Sequence, residues 1–172
     1  MKKWQANVEL FLSLLSPSDK NNYKQLIDIL VDAGYVPHKM RVRGLVMAFK
    51  NPAHNRVIAN MGIRQGCEQP FFGLRFSACS EYPSKFDHVI RARILSSKSR
   101  PAKCGVCHYC DGPKHVYTCE FPEGNKSECG CFILEIPDIT TEDIDPIGKM
   151  IAVQDEYFMT YTRKKAIKER KQ

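Results

Sequence analysis

The chain has 172 residues, 43% of them hydrophobic and 26% charged, with a net charge of +7. That length and balance suit one domain with a core of its own, and they exclude a disordered or low-complexity chain. No apolar run approaches the roughly 20 residues needed to cross a bilayer, and the basic excess sits mostly in residues 163–172, where six Lys/Arg and one Glu leave the remainder at +2.

The opening Met1-Lys2-Lys3 and the apolar positions after it have the outline of a signal peptide. Gln5, Asn7 and Glu9 interrupt the stretch and no small-x-small cleavage site follows, so a cytoplasmic protein is expected. Trp4, Val8, Phe11, Leu12 and Leu15 recur at helical spacing instead. Ser16-Pro17-Ser18-Asp19 breaks that helix and begins another, with Ser18 as the expected cap. Tyr23, Leu26, Ile27, Leu30 and Val31 form its apolar side, and Gly34 is the stop. The spacing predicts an N-terminal helical hairpin over 1–34.

Strict alternation then predicts strands around Leu45, Met47 and Phe49, around Val57, Ala59, Met61 and Ile63, and around Phe72, Leu74, Phe76 and Ala78. Short connections make these an antiparallel meander. Pro83 opens a helix with Phe86, Val89, Ile90 and Ile94 on one face, completing a unit over 43–97. A polar linker leads into a Cys-rich segment, 101–136. Two strands are predicted there, 115–121 and 131–136, joined by Pro122-Glu123-Gly124-Asn125. Thr140-Thr141-Glu142-Asp143 reads as a capping box, and Asp145-Pro146 offers a second helix start. Ile147, Ile151, Phe158 and Tyr161 line the last helix, which carries the basic tail over 140–172. The order α-α-β-β-β-α-β-β-α predicts a single α+β domain over 1–172. Its mainly antiparallel sheet would have about five strands, with helices packed on one face and a groove between the open face and the helices.

Six of the eight cysteines lie within 28 residues: Cys104, Cys107, Cys110, Cys119, Cys129 and Cys131. Thiols gathered this densely bind metal or bond to each other, and in a reducing compartment they stay free to ligate. A Cys-x-x-Cys pair places two sulfurs on one zinc, and a second pair comes from elsewhere in the chain. Cys104, Cys107, Cys110 and Cys129 are the expected set for a structural zinc, with Cys119, Cys131, His108 and His115 as alternates. Cys131 is expected on the face opposite the core, because a strand that turns Phe132, Leu134 and Ile136 inward turns Cys131 outward, and Cys129, on a glycine-flexible turn just before that strand, is the better-placed ligand. An iron–sulfur cluster is the competing cofactor, but position 114 is Lys where a fourth Cys would stand. Metal-free thiols or adventitious disulfides are the remaining reading. Cys79 is expected in the core, and Cys67 lies in a loop.

No phosphate loop, Gly-x-Ser-x-Gly elbow or His-Glu-x-x-His pair is present. His38, His54 and His88 are scattered, and the acidic cluster Asp138, Glu142, Asp143 and Asp145 fits a helix start. The leading expectation is a non-enzymatic domain with a structural zinc that binds a small molecule or a protein partner in the groove. Nucleic-acid binding is the alternative, through Arg91, Arg93, Lys98, Arg100, Lys103 and the tail. A thiol-based enzyme using Cys67 or a cluster thiolate is the third. The element order, the strand end at Ile136-Pro137 before an acidic helix start, and the Gln154-Asp155-Glu156-Tyr157-Phe158 stretch together resemble uncharacterised bacterial α+β families of unknown function. That resemblance implies a small soluble bacterial protein and assigns no functional residue.

Overall fold

The computed structural model describes residues 3–96, 98–99 and 115–169, with side chains described as far as Tyr161. Helix α1 (Lys3–Ser13) buries Val8 and Phe11, and α2 (Pro17–Asp32) buries Tyr23, Leu26, Ile27 and Leu30. The ring of Phe11 meets that of Tyr23 edge-on at 5.4 Å, which locks the hairpin. The cap of α2 is Ser16 rather than Ser18. Pro17 takes the first helical position, where its missing N–H costs nothing, and Ser16 Oγ accepts from the Asp19 amide at 3.2 Å. At the other end Gly34, at φ +86°, donates to Val31 O while Tyr35 donates to Leu30 O, a Schellman ending.

The main sheet has five antiparallel strands in the order β1-β2-β3-β4-β7. They are β1 (Val36–Lys39), β2 (Gly44–Asn51), β3 (Arg56–Arg64), β4 (Phe71–Leu74) and β7 (Leu134–Ile136). Cross-strand rows define its inner face: Leu45–Ile63, Met47–Met61–Phe72–Ile136 and Phe49–Ala59–Leu74–Leu134. Nearly all of these are buried. The opposite face carries Val46–Gly62–Phe71 and Ala48–Asn60–Gly73–Glu135. Helix α3 (Ser84–Leu95) adds Phe86 and Ile90 to the core, and α4 (Thr141–Glu169) adds Ile144, Ile147, Met150, Ile151 and Phe158. Helices on one face of a mainly antiparallel sheet make this the expected α+β fold.

Four local differences from the sequence reading have physical reasons. Strand β1 was not predicted, because Val36-Pro37-His38-Lys39 has too little apolar alternation. It survives as an edge strand, where a proline N–H is not needed. Strand β4 stops at Leu74, since the Arg75–Cys79 stretch turns towards α4 and the Ala78 amide donates to Gln154 Oε1 at 3.0 Å. The third difference lies in the Cys-rich segment. Strand β5 (Val116–Phe121) pairs with the polar β6 (Gly124–Cys129) in a separate two-stranded sheet, and only Leu134–Ile136 joins the main one. Finally, α4 runs unbroken through Pro146, and Asp143 Oδ2 caps it by accepting from the Thr140 amide at 2.8 Å.

Candidate metal centre

The β5–β6 hairpin sorts the cysteines. Cys129 stands opposite Val116 and Cys119 opposite Lys126, so strand alternation puts them on different faces of the ribbon. Cys119 shares the buried face with Tyr117 and Glu128. Its thiol donates to Asp87 Oδ1 at 3.3 Å, and burial together with the Asp87 charge pushes it up to about 11. Cys119 is therefore a core thiol, held away from Cys129. Cys79 is similar: half-buried, with its Sγ 3.9 Å from Met150 O, it is pushed up by burial to about 11. Cys67 is exposed on the loop after β3.

Cys131 lies on a turn and not on the strand expected over 131–136. Because β7 begins only at Leu134, residues 129–132 form a tight turn closed by the Phe132 amide on Cys129 O at 3.3 Å. This turn carries Cys131 back beside Cys129, with the two Sγ atoms 3.1 Å apart. A disulfide would need about 2.05 Å. Two thiolates on a tetrahedral zinc, at Zn–S of about 2.3 Å, would stand about 3.8 Å apart. The pair is thus within about 0.7 Å of a chelating separation. Gly130 makes the turn possible for a steric reason. A Cβ there would lie 1.9 Å from His115 O and 2.6 Å from the Ser77 Cβ. Ser77 Oγ donates to Gly130 O at 3.1 Å, and Tyr117 OH donates to Phe132 O at 2.9 Å while accepting from the Phe76 amide. The thiol turn is thus clamped to the end of β4.

His115, an alternate ligand, lies beside this turn through its carbonyl, while its ring stacks on Tyr157 with centroids 3.5 Å apart. Among the described residues no three His, Cys, Asp or Glu side chains converge as a metal site. Cys104, Cys107, His108 and Cys110 lie outside the described residues, so of the expected four only Cys129 is described, together with the alternates Cys119, Cys131 and His115.

Arg75 lies two residues before Ser77, whose Oγ holds the Gly130 carbonyl. The Arg75 amide donates to Ile58 O at 2.8 Å, the guanidinium carbon is 5.6 Å from the centre of the Phe158 ring, and Nε is buried without a hydrogen-bond partner. No carboxylate among the described residues stands at ion-pair distance. Burial pushes Arg75 below its ordinary value; the Tyr117 phenol and the sulfurs of Cys131 and Cys129 pull it back up, and Arg56 pushes it down.

On the other side of Phe158 lies a polar cluster that the sequence did not signal. Asp155 Oδ1 accepts from Tyr35 OH at 2.7 Å, stands 3.0 Å from His54 Nε2, and is 3.4 Å from Asn51 Nδ2. The Arg56 amide donates to His54 Nδ1 at 3.2 Å, so the imidazole proton is on Nε2 and points at Asp155. The His54 side chain is fully buried. With both ring nitrogens engaged, this cluster is a clasp joining the end of α2, the β2–β3 turn and α4. Residues at 35, 51, 54 and 155 share no motif, which is why they were missed.

The sheet face opposite the buried rows, which no described helix covers, carries a groove of about 500 Å³ lined by Val46, Asn60, Arg64, Phe71, Gly73 and Ile133 among others. A second hollow, of about 530 Å³, lies between α3 and β7 and shares Phe71, Ile133 and Glu135 with the first. Arg64 lies over the Phe71 ring at 3.8 Å and pairs with Glu135. Asn60 Oδ1 is buried there with no hydrogen-bond partner. No helix among the described residues is long and apolar enough to cross a membrane. Comparison with protein-family models, with curated proteins and with solved structures finds no match.

Proposed function

We propose that this is a non-enzymatic domain whose Cys-rich segment is ordered by a structural zinc, and that it binds a small molecule or a protein partner on the uncovered face of its sheet. The observation that carries the reading is the convergence of Cys129 and Cys131 at 3.1 Å on a turn that admits only glycine at its centre. Closed thiolate sites favour zinc, and a short segment with little apolar content gains its order from the metal. Cys104, Cys107 and Cys110 would supply the remaining ligands. Because Cys131 lies beside Cys129, it competes for a place in the set.

The groove supports the binding half of the proposal. It combines an apolar floor with an unsatisfied acceptor on Asn60 and an Arg64–Phe71 stack, the mixture of apolar lining and few polar anchors that small-molecule sites use. The nucleic-acid alternative has less to draw on. Arg91 is engaged with Asp87 and Glu120 O, and Arg93 with Glu128.

Elemental analysis of the full chain, purified without added metal, tests the zinc. One zinc per chain, lost in Cys104→Ser, Cys107→Ser and Cys129→Ser, is the expected result. Iron with visible absorbance would favour the cluster instead. For the groove, 1-anilinonaphthalene-8-sulfonate should bind the native protein and lose most of its fluorescence in Val46→Glu. Unchanged fluorescence would place the apolar site elsewhere.

A further inference from the structure

We infer that Cys129 and Cys131 form a reversible dithiol–disulfide couple, oxidised by a low-molecular-weight disulfide of the glutathione type. The contact between the two is direct, with the Sγ atoms 3.1 Å apart. A disulfide needs about 2.05 Å, so the sulfurs have about 1 Å left to close, which side-chain rotation supplies without moving the backbone. That backbone is held on every side. The Phe132 amide closes the turn on Cys129 O, Ser77 Oγ holds Gly130 O, and Tyr117 OH holds Phe132 O. Both thiols are only half-buried, which leaves them within reach of a small oxidant. Cys79 and Cys119 are placed differently. Cys79 faces Met150 O and Cys119 donates to Asp87, and burial pushes both up to about 11, where thiolate is scarce at neutral pH.

The exchange balances in two steps. One protein thiolate attacks the oxidised glutathione, forming a mixed disulfide and expelling one glutathione thiolate. The second protein thiolate attacks the protein sulfur of that mixed disulfide, and the second glutathione leaves. Each protein thiol gives up one proton and each departing glutathione takes one, so two electrons pass from the pair to the oxidant. The loop closed by the bond holds a single residue between the cysteines. A loop that short removes little freedom from the unfolded chain, so the bond is no structural staple and is readily reduced again. The couple needs no metal and stands apart from the zinc reading. Where zinc is bound, oxidation expels it, because sulfurs joined in a disulfide are no longer thiolate ligands.

The test uses the full chain, as purified and after chelation, equilibrated without oxygen in stepped mixtures of reduced and oxidised glutathione. Samples are acid-quenched, alkylated with N-ethylmaleimide and cut with trypsin. Cleavage after Lys126 and Lys149 yields residues 127–149, which hold Cys129 and Cys131 and no other cysteine. This peptide should appear unalkylated and lighter by two hydrogens while Cys79 and Cys119 are still alkylated, and the change should reverse in reduced glutathione. Of Cys129→Ser and Cys131→Ser, the variant that keeps the attacking thiol should retain bound glutathione on this peptide at about ten times the unaltered level, since nothing resolves the mixed disulfide. Full alkylation of the peptide at every mixture, with and without chelator, would overturn the inference. So would either cysteine bonded to a different one, or no retained glutathione in both variants. A chain that holds no zinc yet forms this bond keeps the couple and removes the metal reading. One that holds zinc and, once chelated, never forms the bond overturns the couple alone.

Discussion

Replacing Gly130 by alanine adds one methyl group at the tightest point of the thiol turn. The new Cβ would stand 1.9 Å from His115 O, 2.6 Å from Ser77 Cβ and 2.7 Å from Ser77 Oγ. An ordinary carbon–oxygen contact is about 3.2 Å, so the turn must retreat by about 1.3 Å. Two backbone segments and a clamped serine meet there, and none of them is the loose end of a flexible side chain. Overpacking of this kind costs about 1–3 kcal/mol, and the Ser77–Gly130 bond, worth about 1 kcal/mol, is lost with it. The expected destabilisation of about 2–4 kcal/mol moves a urea midpoint by about 1–2 M at a slope near 2 kcal/mol/M. Equilibrium urea unfolding of Gly130→Ala reads this shift, and zinc content measured on the same samples should fall. Gly66→Ala is the control: its φ of +79° is strained for alanine, but nothing lies within 4 Å of the added carbon, so the cost should stay near 1 kcal/mol. A Gly130→Ala midpoint equal to that of the unaltered protein would show that the turn is not built as described.

Three further predictions test the clasp, the α4 cap and the buried thiols. Asp155→Ala leaves Tyr35 OH and His54 Nε2 buried without their acceptor and should cost about 2–4 kcal/mol; a thermal unfolding midpoint equal to the parent's would refute the clasp. Lys85→Met breaks a 2.7 Å ion pair with Asp143. Burial alone would raise the Asp143 carboxyl, but Lys85 and the Thr140 bonds hold it below the ordinary value. Its stabilisation is therefore full at neutral pH and lost as pH falls through the lowered titration. The Lys85→Met penalty, about 1–2 kcal/mol at pH 7, should shrink on acidification, and a penalty independent of pH would contradict the pairing. With thiols pushed up to about 11, Cys79 and Cys119 have about one thiolate in 10⁴ at pH 7. Iodoacetamide followed by mass mapping should label exposed Cys67 before either of them, and early labelling of Cys119 would refute its burial.

The sheet was legible because its inner face alternates without interruption. Leu45, Met47 and Phe49 had to share a side, and so did Ala59 and Met61. The helices were legible for the same kind of reason, with Phe11, Leu26, Ile90 and Ile151 at helical spacing. The Cys-rich segment was harder to read. Strand β6, Gly-Asn-Lys-Ser-Glu-Cys, has no apolar face of its own and exists because β5 offers it a ladder. Without β6 in the reading, 131–136 became a strand and Cys131 was placed on its outward face. In the fold a glycine turn at 130 brings the sulfurs together. The Asp155 clasp was not legible at all, since Tyr35, Asn51 and His54 lie far from it along the chain and become neighbours only when the sheet and α4 pack.

Zinc stoichiometry tests the central claim most directly. The full chain, expressed and purified in reducing buffer without added metal, would be examined by native mass spectrometry beside Cys129→Ser and Cys131→Ser. The account predicts one zinc per unaltered chain, with both variants depleted because their sulfurs share one turn. An unaltered chain that carries no metal, with its cysteines all reacting as unligated thiols, would contradict it.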